Sequence, residues 1–222
     1  MNYHFFDPTA DTTVANRHLP HWEQENAYYF LTFRTADSLP AGVYAAWLAD
    51  RDRWLRGHGI DPTSDDWMEL VETLPDSKRH DFANRFTGFW QRHLDACHGA
   101  CHLRNPALRQ MVAESVSHFD GQRYRLVAFI IMPNHVHVLV GVDGRGMLRR
   151  NCRSWKQFSA KRINRELGRS GRLWQSESYD HLVRTPESLA RFREYIEANP
   201  RKAGLAPDDY TLYLAQEPLP TE

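Results

Sequence analysis

RYRLVAFIIMPNHVHVLVGV, Arg123–Val142, decides how the rest of the chain is read. Two runs rich in valine, isoleucine, leucine and phenylalanine flank Pro133-Asn134, a dipeptide with turn chemistry, so the stretch reads as a β-hairpin. Its second strand opens with His135 and His137, separated by one valine. Alternate side chains of a strand share a face, so both imidazoles project together while Val136 and Val138 point the other way. Two imidazoles on one face are ligands or bases that need a third partner.

Downstream, GMLRRNCRSWKQFSAKRINRELGRSG has helical periodicity. Leu148, Cys152, Trp155, Ser159 and Ile163 share one face, with Arg149, Arg150, Arg153 and Arg165 around the other. Gly168 and Gly171 end the helix. LWQSESYDHLVR, from Leu173 to Arg184, reads as a further strand with Leu173, Gln175, Glu177, Tyr179, His181 and Val183 on one face. Thr185-Pro186-Glu187 then starts a last helix, with threonine as cap, proline in the first turn and an acid at the positive end of the dipole. That helix buries Leu189, Phe192 and Ile196, and Pro200 is expected to stop it. Tyr195 and Asn199, four residues apart, stack at the border of its apolar face.

Upstream, YYFLTFRT (Tyr28–Thr35) is a strand, and Ser38-Leu39-Pro40 starts a helix that carries Val43, Trp47 and Trp54. From about Gly57 to Asp120 the chain is polar and initially acidic, then reads as helices punctuated by Gly88, Gly99 and Pro106. This is expected to be a helical insertion within a single domain spanning residues 1–222. The tail beyond Leu205 is expected to be loosely ordered. The order of strand, helix, insertion, strand, strand, helix, strand and helix predicts an α+β fold. The architecture is ferredoxin-like: a split β-α-β antiparallel sheet with helices on one face and an insertion after the first helix.

A hydrophobic fraction of 41% over 222 residues is enough for a buried core, and no apolar run approaches a membrane span. MNYHFFDPTA lacks the regions of a signal peptide, and Cys97, Cys101 and Cys152 are too few for a disulfide framework. A cytoplasmic protein is expected, with no membrane partner. The formal net charge of zero hides a segregation. Arg145–Arg172 holds ten lysines and arginines against one acid, Glu166, a local charge of +9. Such a cluster attracts polyanions whatever the isoelectric point.

If the last helix packs against the sheet, its border residues face the strand of His135 and His137. A metal held by imidazoles and an amide oxygen can polarise a phosphate oxygen, and a phenol beside it can attack phosphorus. Cys97, His98, Cys101 and His102 are zinc-type side chains, but on one continuous helix the two pairs diverge, so a helix bend at Gly99 is expected instead. Tyr179 is a rival nucleophile without an amide one turn away and is expected to pack. His181, on its face, reads as a half-buried histidine.

MPNHVHVLV resembles the HUH motif, His–hydrophobic–His on a central strand, of single-strand DNA nicking enzymes. The likeness continues through WKQFSAKRINRELGRSGRLWQSESYDHLVRTPESLARFREYIEANPRKAGL and upstream through RHLPHWEQENAYYFLTFRTADSLP. In this length the chain resembles the REP-associated tyrosine transposases. The resemblance implies that His135, His137 and Asn199 are metal ligands for Mg²⁺ or Mn²⁺, and that Tyr195 is the nucleophile. Tyr195 would cut single-stranded DNA to leave a 5′-phosphotyrosine and a free 3′-hydroxyl that can reverse the attack. The implied partner is single-stranded or hairpin DNA with REP-like palindromes, met in the cytoplasm at the nucleoid. Arg149, Arg150, Arg153, Lys156, Lys161, Arg165 and Arg184 are the candidate phosphate contacts, and Trp174 the candidate for stacking on unpaired bases. The protein is expected to be a monomer or a homodimer. Neutral histidines bind metal, so activity is expected to fall below their titration range. Two other readings share these features: a rolling-circle or relaxase-type nickase, and a non-catalytic hairpin-DNA-binding protein or repressor.

Overall fold

A computed structural model describes residues 3–7, 10, 13–16, 20–39, 41–64, 66–87, 93–94 and 96–216. Pro40 and Gly88, expected to open a helix and to punctuate the insertion, lie outside the described residues, as does the end of the tail.

The strands come first because they position the site. β3 (Ala27–Arg34), β4 (Tyr124–Ile131), β5 (His135–Val142), β6 (Tyr179–Leu182) and β7 (Thr211–Leu214) form one sheet in the order β6-β3-β5-β4-β7, every pair antiparallel. β1 (Thr13–Asn16) and β2 (Pro20–Glu23) form a separate two-stranded sheet. β4 and β5 are the hairpin of the sequence reading, with Ile131 opposite Val136. A register shift between Leu126 and Ala128 puts Val127 and Ala128 into the same apolar cluster.

Two helices cover one face. α4 (Pro106–Ser117) contributes Leu108, Val112 and Val116, and α5 (Met147–Glu166) contributes Leu148, Cys152, Trp155 and Ile163. They pack on Tyr29, Leu31, Phe33, Val136, Val138 and Val140. The apolar stripe anticipated for α5 is the stripe that is buried. The expectation of an antiparallel α+β fold therefore holds, with α4 and α5 as crossover helices on a shared face.

The last helix, α6 (Pro186–Lys202), departs from the one-face expectation. Its Leu189 and Ile196 pack on Tyr28, Phe30, Val127, Ile130 and Leu139, which belong to the opposite face. Topology gives the reason. β3 to β4 and β5 to β6 cross the sheet in opposite directions with opposite strand polarity, so the right-handed rule places both helices on one side. β6 to β7 keeps the polarity of β5 to β6 but travels the other way, towards the far edge. The same rule then puts α6 on the other side.

α1 (Ala41–Gly57), α2 (Trp67–Glu72), α3 (Asp76–Phe82) and a π-helical turn (Ala83–Thr87) build a satellite. Trp47, Trp54, Leu55, Trp67, Val71 and Phe86 form a cluster distinct from both faces of the sheet. The helix that packs on the sheet between β3 and β4 is thus α4, not the helix that opens the segment. Two smaller readings also change. Of the predicted strand over 173–184 only Tyr179–Leu182 pairs along β3, with Trp174 making one bridge to Thr35. Pro200 lies inside α6, whose last turn runs on to Lys202. Among the described residues no helix is long and apolar enough to cross a membrane.

Candidate active site

β5 is the central strand, and its first turn of pleat puts His135 and His137 on the α6 face. In register, Arg34 lies opposite His135 and Thr32 opposite His137. Both imidazoles are fully enclosed, at 0% and 2% exposure. Their Nε2 atoms approach to 3.1 Å. Each Nδ1 has its own partner: Asn134 Oδ1 at 2.8 Å from His135, and Thr32 Oγ1 at 2.7 Å from His137. Burial holds the His137 pKa down at about 3. His135 is also held well below the usual imidazole range, by burial and then by its neighbour His137. Both rings are therefore neutral at physiological pH, the form that coordinates metal.

α6 brings the remaining groups. Its start is fixed by a capping box, in which the Thr185 hydroxyl accepts from the Ser188 N–H at 3.1 Å and the Thr185 N–H donates to Ser188 Oγ at 2.9 Å. The helix docks through aromatic contacts, with Phe192 stacked on Phe30 at 4.6 Å. Phe30 in turn stacks on His137 at 5.3 Å and meets Tyr195 edge-on at 5.8 Å. The Tyr195 and His137 rings are 5.3 Å apart at 70°. Lys202 Nζ lies 5.3 Å from the centre of the Tyr195 ring. One turn beyond Tyr195, Asn199 is 0% exposed, and neither amide atom has a hydrogen-bond partner among the described residues.

A polar group buried without a partner costs about 1–3 kcal/mol, and a cation bound by the amide oxygen would relieve the oxygen's share. Among the described residues no group of three or more His, Cys, Asp or Glu could hold a metal. Two imidazoles with an amide oxygen are the donor set that the region offers, and nitrogen and oxygen donors of this kind suit a divalent cation.

The basic candidates sit elsewhere. Arg149, Arg150, Arg153, Lys161 and Arg165 are exposed on α5, across the sheet from the histidines. Arg149, Arg150, Arg153 and Lys156 line a cavity of about 590 Å³, facing Glu177 and Asp180. Lys156 is partly engaged, donating to the carbonyls of Gln175 and Ser176 at 3.0 and 2.8 Å. Arg184 is exposed just after β6, 5.4 Å over the Phe6 ring. Trp174 is not a surface for bases. It is 4% exposed, edge-on to Phe33, and donates from Nε1 to Ser159 Oγ at 2.9 Å. The aromatic that α5 does expose is Phe158, at 62%, which sequence reasoning missed because one phenylalanine among polar residues carries no signal.

Sequence reasoning also missed Thr32, Asn134 and Arg34. Their roles depend on cross-strand register, although Asn134 adjoins the histidine pair and could have been suspected from that. Arg34 is lowered to about 10 by burial and donates to Ser38 Oγ at 3.3 Å. Cys97–Cys101 is a loop and not a bent helix, and it leads into a 3-10 turn over His102–Arg104. Cys101 Sγ donates to the Cys97 carbonyl at 2.8 Å, and His102 is bonded to Arg169 at 3.0 Å. His181 packs on Phe192 at 5.3 Å, and burial first, then Arg184, lower its pKa to about 4.

Residues 103–199 match the family model described as "Transposase IS200 like". Over this stretch the chain is similar to the IS200-like transposases. The stretch begins beside α4, takes in both histidines and Tyr195, and ends on Asn199. A protein of Haemophilus influenzae named as a REP-associated tyrosine transposase is 27% identical over 36% of this chain and 52% of its own length, so the chain spans about half of that relative. A solved REP-associated tyrosine transposase bound to a REP hairpin aligns at 12% identity and a TM-score of 0.42, over 90% of this chain and 93% of that one. A protein of Deinococcus radiodurans R1 described as a transposase aligns at 17% identity and 0.30, over 78% and 89%.

Proposed function

We propose that the protein is a divalent-metal-dependent endonuclease and strand transferase acting on single-stranded or hairpin DNA of the REP type. The observation that carries this reading is the 5.3 Å approach of the Tyr195 ring to His137, with the buried, unpartnered amide of Asn199 one turn further on. The Tyr195 phenolic oxygen attacks phosphorus in line with the departing 3′-oxygen. As the new P–O bond forms, the P–O3′ bond breaks. The phenol loses its proton and the leaving oxygen gains one, giving a 5′-phosphotyrosine and a free 3′-hydroxyl. Reversal by that or another 3′-hydroxyl rejoins a strand. One phosphodiester replaces another, so no nucleotide hydrolysis is required.

His135, His137 and Asn199 would hold Mg²⁺ or Mn²⁺, which when bound acts as a Lewis acid on a phosphate oxygen. Phe30, stacked on Phe192 and edge-on to Tyr195, braces the Tyr195 ring against the sheet. Arg149, Arg150, Arg153, Lys161, Arg165 and Arg184 would meet phosphates and give binding a steep salt dependence. Because α5 and the histidines lie on opposite faces, one DNA chain touching both must run round the sheet. The name of the Haemophilus influenzae relative is in keeping with a REP-type DNA partner, which would be met in the cytoplasm at the nucleoid. Solution mass decides between monomer and homodimer.

The test uses purified protein, labelled hairpin DNA and Mn²⁺, with detection of a protein–DNA adduct that survives denaturation. Wild type is expected to form it and Tyr195→Phe to form none. An adduct in Tyr195→Phe puts the nucleophile elsewhere, and wild-type binding without an adduct supports a repressor instead.

A further inference from the structure

We propose that Thr32 and Asn134 are positioning residues that set the tautomers of the two imidazoles, so that both Nε2 lone pairs can face one cation. The inference rests on the metal-dependent reading above and assigns roles to two residues outside the ligand set.

Asn134 supplies the clearer half. Its Nδ2 lies 2.9 Å from the carbonyl oxygen of His98. A carbonyl only accepts, so the NH₂ end of the amide must point there, and the Oδ1 end must face His135. At 2.8 Å from His135 Nδ1, that oxygen requires a proton on Nδ1. His135 is thereby held with a bare Nε2, and the bare Nε2 is the atom that lies 3.1 Å from His137.

Thr32 supplies the other half by being reversible. Its hydroxyl, 2.7 Å from His137 Nδ1, can donate or accept. Without metal, His137 carries its proton on Nε2 and donates it to His135, while Thr32 donates to Nδ1. Two bare nitrogens 3.1 Å apart would repel, so this is the stable arrangement. With metal, the proton leaves Nε2, one is taken up at Nδ1, and the hydroxyl turns to accept it. No net proton is released. A hydroxyl rotor satisfies both tautomers without moving the ring.

The same contact explains how the long segment between β3 and β4 reaches the site. Leu103 N–H donates to the Pro133 carbonyl at 3.2 Å, and Ala100 N–H to Asp37 Oδ2 at 2.8 Å. A Cβ on Gly99 would stand 2.6 Å from the Asp37 carbonyl oxygen, and its φ of +93° also favours glycine. The segment is seated tightly against Asp37, and its His98 carbonyl holds the Asn134 amide the right way round.

Two measurements test this. Long-range ¹H–¹⁵N spectra of the metal-free wild-type protein at neutral pH report which imidazole nitrogen carries the proton. His135 is expected to be protonated on Nδ1 and His137 on Nε2. Mn²⁺ titration followed by electron paramagnetic resonance gives affinity without any need for turnover. Thr32→Val and Asn134→Ala are each expected to weaken binding about 10–100-fold, the usual cost of losing a partner behind a ligand. Thr32→Ser, which keeps the hydroxyl, should stay within about twofold of wild type, and Gly99→Ala should fall between them. A merely structural role for Thr32 would not separate serine from valine. A proton on His135 Nε2 overturns the proposal even if Asn134→Ala does not fold. Wild-type binding left unchanged in both folded variants overturns it alone, whereas a wild-type protein that binds no Mn²⁺ overturns the proposed function as well.

Discussion

The ring of Tyr195 meets that of His137 edge-on, 5.3 Å between centroids, across the interface of a helix and the middle strand of a sheet. Neither residue could be moved without displacing the other's packing, because Phe30 touches both. The packing of the helix on the sheet thus holds the Tyr195 ring against His137.

Asn199 gives the sharpest consequence. A buried amide lacking partners lowers stability, and an apolar side chain of similar size does not. Asn199→Leu is expected to raise the unfolding free energy of metal-free protein by about 1–2 kcal/mol. It should also abolish the stabilisation that wild type gains from added Mn²⁺. Urea melts with and without Mn²⁺ check both, and a loss of stability in the metal-free variant would mean that the amide is satisfied.

Stability should depend on pH with a definite sign. His137 and His181 sit at about 3 and about 4 in the folded state, whereas unfolded histidine titrates near 6.5. Below that value the unfolded chain takes up protons that the folded chain refuses. Stability is therefore fully present above about pH 6.5 and falls as pH drops towards the folded values. Each imidazole should cost about 1–2 kcal/mol at pH 5. Urea midpoints at pH 7.5 and 5.0 check this, and equal midpoints would contradict it.

The charged face of α5 and the buried Trp174 separate by experiment. Arg153→Ala should weaken DNA binding and reduce the slope of log affinity against log salt by about 0.7–0.9. Trp174→Phe should leave that slope and the affinity unchanged, and lower stability by about 1–2 kcal/mol through the lost bond to Ser159. Binding isotherms at several salt concentrations, with urea melts alongside, distinguish a surface contact from a core one.

The Thr185 cap holds the helix that delivers Tyr195. Thr185→Ala removes one side of the capping box and is expected to cost about 1 kcal/mol, read as a shifted urea midpoint. Thr185→Ser should recover most of it.

What the chain determined by itself is what depends on neighbours in sequence. Alternation along a strand put His135 and His137 together, the 3.6-residue period put Asn199 beside Tyr195, and the apolar stripe from Leu148 to Ile163 marked the buried side of α5. Capping at Thr185-Pro186 was legible for the same reason, since a cap is a contact three residues long. Tertiary structure alone decided which face each helix took. The direction of travel between β6 and β7 sends α6 to the side opposite α4 and α5, and no local pattern encodes that direction. The partners of the imidazoles, Thr32 through cross-strand register and the His98 carbonyl through a loop, were hidden likewise. Trp174 illustrates the limit: in sequence it follows the basic run that ends at Arg172, but its neighbours in space are Phe33 and Ser159, and burial follows the latter.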